Sequence, residues 1–161
     1  MQYSVGSNTE HTSYLKLGTY IHHRHISEEN NEGVNIDKFI HGIYSITDLH
    51  LWNSGTKSLD AFSQIGFCPN NSVDVDYYFG AGASYTGLFS RKSRDVAGLA
   101  VNVLHFNLRD DNEAVAELTY QYNFTSNIYL QPDLQYIINP MNTDLNLNNS
   151  FVGFFRFGIN F

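Results

Sequence analysis

The sequence is poor in charged residues, in proline and in cysteine. Asp, Glu, Lys and Arg make up 16% of the 161 residues, whereas a typical soluble domain contains about 25%. Cys68 is the single cysteine and cannot form an internal disulfide, which excludes a disulfide-stabilised scaffold. Nine basic and sixteen acidic residues give a net charge of −7. This balance argues against a nucleic-acid-binding protein, because such proteins neutralise phosphates with Lys and Arg.

Long hydrophobic stretches are also missing. No run approaches the roughly 18 consecutive apolar residues of a transmembrane helix, and the first ten residues contain neither the basic nor the apolar region of a signal peptide. Hydrophobic residues make up 42% of the chain and are spread evenly, which disagrees with a disordered chain. The sequence therefore predicts an ordered domain without a membrane-spanning helix.

The sequence does contain alternating apolar and polar residues. Residues 73–86, 114–123, 128–138 and 151–161 place apolar side chains at every second position. Successive side chains of a β-strand point to opposite faces of the sheet, so these segments predict four strands. Less regular segments near 14–23, 39–52, 58–68 and 95–107 bring the expected number to about eight.

Alternating strands fit a soluble barrel with an apolar interior or a transmembrane barrel with an apolar exterior. The runs are longer than an average soluble strand of about 5–6 residues and match the roughly 9–11 residues of a membrane strand. Their polar face is rich in Gly, Ser, Thr, Asn and Gln, whereas a solvated sheet usually carries more Lys and Glu. Aromatic residues such as Tyr20, Trp52 and Phe161 stand near strand ends, as in membrane-barrel girdles. These features favour the transmembrane barrel.

Several segments resemble the carbohydrate-selective porins of the OprB type. Residues 85–98, Tyr-Thr-Gly-Leu-Phe-Ser-Arg-Lys-Ser-Arg-Asp-Val-Ala-Gly, are similar to a turn of that family. Residues 117–122 followed by 130–140, Leu-Gln-Pro-Asp-Leu-Gln-Tyr-Ile-Ile-Asn-Pro, are similar to its most recognisable stretch. Residues 151–161 look like the terminal assembly signal of outer-membrane barrels. The chain departs from the family at Arg91, Ser93 and Arg94, where Gly, Pro and Asp are preferred, and at Cys68.

The resemblance implies an all-β fold, an antiparallel transmembrane β-barrel portion of about eight strands from a barrel of roughly sixteen. We therefore expect residues 1–161 to form a single unit, the C-terminal half of a porin without its N-terminal half and signal peptide. Half a barrel leaves two sheet edges unpaired in lipid. The chain would need the missing half, a second copy, or closure into a narrow eight-strand barrel, whose interior is filled by side chains. Without the missing half or a second copy, we therefore do not expect it to conduct sugar.

The resemblance also implies the function. We expect passive diffusion of small sugars through a polar lumen in the outer membrane of a Gram-negative bacterium, with no enzymatic step and no cofactor. The expected partners are outer-membrane lipid, the sugars, further copies in a homotrimer, and the outer-membrane assembly machinery, which would bind the C-terminal strand. Nucleic acid is not an expected partner.

The polar face would supply the residues that line the lumen. Amides and charged groups can hydrogen-bond sugar hydroxyls, and aromatic rings can contact sugar C–H groups, so that binding stays weak enough for passage. Alternatively, lumen charges pair with one another and only brace the wall. The candidate residues are Lys16, Asp76, Tyr78, Glu117, Gln131, Asp133, Gln135 and Arg156.

Other functions have weaker support from the sequence. His22, His23 and His25 could bind a metal, but no Cys or clearly placed carboxylate completes a tetrahedral set, so no metal site is predicted. Glu117 and Asp133 could form a glycosidase pair, yet the sequence indicates no pocket between them. The remaining alternative is a soluble lipocalin-like β-barrel that binds a small apolar ligand and has Phe155 and Phe157 inside.

Overall fold

The computed structural model describes residues 2–5, 13–27, 35–70, 73–89, 95–107, 110–140 and 147–161. They form nine strands: β1 (Gln2–Val5), β2 (Ser13–Ser27), β3 (Asn35–Ser54), β4 (Lys57–Phe67), β5 (Val75–Thr86), β6 (Val96–Phe106), β7 (Asp111–Asn123), β8 (Ile128–Ile138) and β9 (Ser150–Ile159). The eight expected strands are present, and the short β1 is an addition. No helix in this part of the chain is long and apolar enough to cross a membrane. Arg91, Ser93 and Arg94 lie outside the described residues.

The strands form one antiparallel sheet in which each strand pairs with its neighbours in sequence, in the order β1 to β9. The predicted all-β antiparallel fold is therefore confirmed. Within the described ranges, β1 pairs only with β2 and β9 only with β8, so the sheet is open rather than closed into a barrel. Two edges consequently carry backbone groups that the sheet itself does not pair.

The β2–β3 hairpin extends beyond the neighbouring strands. β3 contains 20 residues and β2 contains 15, both longer than the sequence pattern predicts. β4 pairs with β3 only as far as Ile43, whereas β2 continues to pair with β3 as far as Asn35. At about 3.4 Å per residue, the β2–β3 ladder thus continues for roughly 27 Å past the last pair between β3 and β4. The Asn70 side chain donates to the carbonyl of Phe39 and flanks part of this length.

Two β-bulges interrupt the alternation of side chains. In β3 the register shifts between His50 and Trp52, and in β5 it shifts between Val75 and Tyr77. An extra residue in one strand reverses the side to which the following side chains point. Trp52 therefore lies on the opposite face from His50, although the two are two positions apart and would share a face in a regular strand.

The connections from β3 to β4, from β5 to β6 and from β7 to β8 lie at one end of the sheet, and the first and the last of them are tight turns. Gly55 and Gly87 have φ values of 63° and 76°, a left-handed conformation that glycine adopts without a Cβ clash. The N–H of Gly87 donates to the carbonyl of Asp95 at 2.7 Å, and the N–H of Phe124 donates to the carbonyl of Ile128 at 2.9 Å. Because β9 runs toward this end, Phe161 lies there too.

The two faces of the sheet differ in composition and in exposure. The apolar face includes the row Ala83, Leu99, Leu118 and Leu134, and the polar face includes the row Gly82, Ala100, Glu117 and Gln135. Leu99 is 64% exposed on the apolar face, whereas Asp133 is 1% exposed on the polar face. This difference indicates that the sheet curves around its polar face.

The apolar face thus lies on the outside of the curved sheet. The lipocalin-like alternative placed Phe155 and Phe157 in an apolar interior. Both rings lie on the apolar face instead, where they are 75% and 64% exposed, so that placement is wrong. An exterior of this kind is the arrangement of a barrel whose wall contacts lipid.

Candidate functional site

The largest group of predicted lumen residues lies on β7, β8 and β9. The pairing register sets Glu117 beside Gln135, Thr119 beside Asp133, and Gln131 beside Arg156. Residues paired in this way point to the same face of a sheet. We call these six residues the β7–β9 polar patch, and five of them were predicted to line the lumen: Glu117, Gln131, Asp133, Gln135 and Arg156.

Hydrogen bonds between strands order two pairs within the β7–β9 polar patch. The Gln135 side-chain amide donates to Oε2 of Glu117 at 2.7 Å. The Gln131 amide donates to Oγ1 of Thr119 at the same distance. In both pairs the amide nitrogen is engaged, while the amide oxygen keeps its capacity to accept from a hydroxyl group.

Asp133 and Arg156 form the central contact of this patch. Nε of Arg156 lies 3.4 Å from Oδ2 of Asp133, whose carboxylate is buried. Neither carboxylate oxygen accepts a hydrogen bond from the described residues. The guanidinium of Arg156 also lies over the ring of Phe154, 5.0 Å from its centroid, at a distance typical of cation–π contacts.

The remaining predicted lumen residues lie on other strands. The Tyr78 hydroxyl, on β5, donates to Oδ1 of Asn102 at 2.7 Å and lies 3.4 Å from Oε1 of Gln64. Lys16 is exposed on the polar face of β2, where it pairs with Ile46 of β3. Both residues thus share the face of the β7–β9 polar patch without belonging to it.

Asp76 lies apart from the other candidates because it occupies the β5 bulge. Its Oδ1 atom is 2.5 Å from Nδ1 of His105, and the His105 ring stacks on Tyr77 with a centroid distance of 4.7 Å. Tyr77 pairs with His105 on the face opposite to Tyr78. The Asp76 carboxylate therefore points to the apolar face rather than to the side of Glu117 and Asp133.

One polar cluster on the polar face was not predicted. Nδ1 of His50 lies 2.6 Å from Oδ1 of Asp60, and the Ser58 hydroxyl donates to Oδ2 of the same carboxylate at 3.1 Å. The sequence contains a signal for this pairing, because Gly55 occupies the first position of a two-residue hairpin loop. Counting outward from that loop brings His50 to Asp60 only when the bulge before Trp52 is included.

Tyrosine rings cover glycines of the neighbouring strand at three places on the polar face. Gly18 pairs with Tyr44, Gly42 with Tyr20, and Gly158 with Tyr129. A Cβ atom added at any of these glycines would overlap the ring of its partner. The rings consequently lie against the sheet instead of projecting away from it, which leaves the space above the polar face open.

Aromatic residues form a band on the apolar face near the tight turns. Trp52 stacks on Tyr85 at 6.3 Å, and Phe89 meets Tyr120 edge-on at 5.6 Å. Away from the turns, this face carries a shallow apolar depression. Aromatic residues next to an apolar band are typical of the boundary between membrane and water. The residues of the depression that belong to the apolar face are Ala81, Ala83, Leu99, Val101, Ala116, Leu118, Leu134, Tyr136 and Phe151.

The comparison with protein families agrees with this arrangement. The family model described as carbohydrate-selective porin, OprB family, matches residues 2–161. The chain therefore belongs to the OprB family of carbohydrate-selective porins. No curated protein and no solved structure matches the chain significantly.

Proposed function

We propose that this member of the OprB family forms part of the wall of an outer-membrane channel in a Gram-negative bacterium, through which small sugars diffuse passively. The observation that supports this proposal is that one face of the sheet is apolar and the opposite face is polar. Leu99 and Phe155 are strongly exposed on the apolar face, whereas hydrogen-bonded amides and carboxylates occupy the other face. Such a sheet fits between lipid and an aqueous lumen.

The chemistry of the polar face suits sugars as the diffusing solutes. Sugar hydroxyls both donate and accept hydrogen bonds. The amides, carboxylates and phenols of this face together supply both acceptors and donors for them. Exchanging such weak contacts along a wall allows a solute to enter and to leave without tight binding. We propose that Lys16, Tyr78 and the β7–β9 polar patch line this path. Asp76 is left out because its carboxylate contacts His105 on the apolar face.

The open edges require partners within a bilayer. Unpaired backbone groups in lipid cost several kcal/mol each, so β9 must pair with a further strand. We propose that additional barrel strands, from the rest of a larger porin or from a second copy, complete the wall. The chain without them would not conduct. Recognition of β9 and Phe161 by the outer-membrane assembly machinery, and assembly of barrels into trimers, belong to the same proposal.

The proposal is tested by swelling of liposomes that contain the refolded protein, with and without the strands that complete the barrel. We expect isosmotic glucose to swell liposomes that contain the completed barrel, and a trisaccharide to swell them more slowly. Protein-free liposomes provide the baseline. A completed barrel that is folded, shown by an electrophoretic shift on boiling, but excludes glucose would contradict the proposed function.

A further inference from the structure

We infer that Arg156 is a sugar-contacting residue of the lumen wall and that Asp133 and Phe154 are positioning residues that hold its guanidinium. This inference rests on the proposed function and assigns its contact to one place in the β7–β9 polar patch. The sequence predicts the same lumen-lining role for Arg156 and Asp133, whereas the structure separates a contacting residue from a supporting one. Phe154 is not among the residues that the sequence predicts to line the lumen.

The geometry of the Asp133–Arg156 pair differs from that of a bracing ion pair. A bracing pair usually joins both carboxylate oxygens to two nitrogens of the guanidinium fork. Here Nε lies 3.4 Å from Oδ2, and neither carboxylate oxygen accepts a hydrogen bond from the described residues. Among the described residues, the two terminal nitrogens of Arg156 have no hydrogen-bond partner, and the side chain is 52% exposed. Within the described sheet, the donors that would hold a bidentate ligand thus remain available on the polar face.

The supporting groups fix the direction of the guanidinium. The Asp133 carboxylate is removed from water, so its charge acts on Arg156 with little screening. Phe154 pairs with Asp133 across the strands and presents its ring to the guanidinium. One edge and one surface of the guanidinium are therefore occupied by protein, while its terminal nitrogens stay free.

A neutral sugar matches the groups that remain. Two neighbouring hydroxyl oxygens can accept the parallel N–H bonds of an Arg fork, as a carboxylate does. Gln131 pairs with Arg156, and its amide nitrogen is engaged by Thr119, so its oxygen can accept a hydroxyl proton. The resulting subsite has donors on one side and an acceptor on the other, which fits a vicinal diol better than an anion.

The test uses saturation-transfer NMR to measure equilibrium binding of glucose to the protein refolded with the strands that complete its barrel. This measurement reports binding and does not require conduction. Loss of a hydrogen bond from a charged donor, about 1.5 kcal/mol, corresponds to roughly tenfold weaker binding. We expect Arg156→Gln to raise the half-saturating glucose concentration about tenfold. Arg156→Lys keeps the charge without the fork, so its effect should be intermediate.

Two further variants test the positioning roles. Asp133→Asn should weaken binding in the wild-type background but have no additional effect in the Arg156→Gln background, because it acts through the guanidinium. Phe154→Leu should weaken binding, whereas the matched control Phe155→Leu, one residue along on the apolar face, should leave it unchanged.

The inference is overturned if folded Arg156→Gln binds glucose within twofold of wild type, or if both leucine variants have equal effects. Should Arg156→Gln fail to fold, Arg156→Lys decides by the same criterion. Absence of glucose binding to the wild-type protein would also overturn the subsite. Liposome swelling judges the proposed function separately, since sugars can diffuse through a lumen without this contact.

Discussion

The buried carboxylate of Asp95 provides a quantitative test of the fold at the end that carries the tight turns. Asp95 has 0% exposure. Its Oδ2 atom accepts the N–H of Phe89 at 2.9 Å and the hydroxyl of Tyr120 at 2.7 Å. The side chain therefore joins the β5–β6 connection to β7, beyond what the strand ladder itself provides.

Replacement of Asp95 by alanine leaves both donors without this acceptor. Each hydrogen bond to a charged group contributes about 1.5–3 kcal/mol, so Asp95→Ala should lower the free energy of unfolding by about 3–5 kcal/mol. Tyr120→Phe removes one of the two bonds and should cost about 1.5–3 kcal/mol. Since the two variants share that bond, the double variant should show a coupling energy equal to that bond, about 1.5–3 kcal/mol.

The assay is urea unfolding of the protein folded in phospholipid vesicles. Trp52 is the single tryptophan and stacks on Tyr85 near the same turns, so its fluorescence reports on this end of the sheet. Asp74→Ala, which removes an exposed carboxylate, serves as the control. A coupling energy near zero, or an Asp95→Ala variant as stable as the control, would refute the role assigned to this carboxylate.

Two more predictions concern the assignment of the faces and the close contact of tyrosine with glycine. Leu118→Arg, on the apolar face, should destabilise the vesicle-folded protein by about 2–4 kcal/mol. Gln121→Arg, on the polar face, should fold normally, as judged by the boiling-dependent electrophoretic shift. If Gln121→Arg were the more destabilising variant, the two faces would have been assigned the wrong way round. Gly158→Ala forces the Tyr129 ring to move and should cost about 1–3 kcal/mol in urea unfolding. Most of that loss should disappear when Gly158→Ala is made in the Tyr129→Ala background. An equal loss of stability in both backgrounds would contradict the contact between Tyr129 and Gly158.

Much of the fold could be predicted because side-chain alternation reports directly on strands and faces. The pattern around Leu118 and Leu134 predicts both the strands and their common apolar face. It fails at Asp76, because the β5 bulge reverses the faces and no residue type in the sequence marks the position of a bulge. The four-residue β1 is too short to show any alternation.

The candidate site could be predicted in part. The short turn after Asn123 fixes the β7–β8 register, so the proximity of Glu117 to Gln135 follows from counting residues. The connection between β8 and β9 is longer, and the alternation of side chains does not define where it begins and ends. Counting residues therefore does not fix the β8–β9 register. The approach of Arg156 to Asp133 and Phe154 therefore required the structure.

The simple meander of the sheet has a consequence for how such walls can evolve. Since every strand contacts only its neighbours in the chain, as far as the structure describes it, a hairpin can be duplicated or deleted without breaking the pairs between the remaining strands. Each hairpin brings two strands spaced about 4.8 Å apart, and it preserves both the strand direction and the faces of everything that follows. The circumference of the wall can thus change in fixed steps of roughly 10 Å. The hairpin is therefore the smallest segment whose gain or loss leaves the rest of the sheet unchanged.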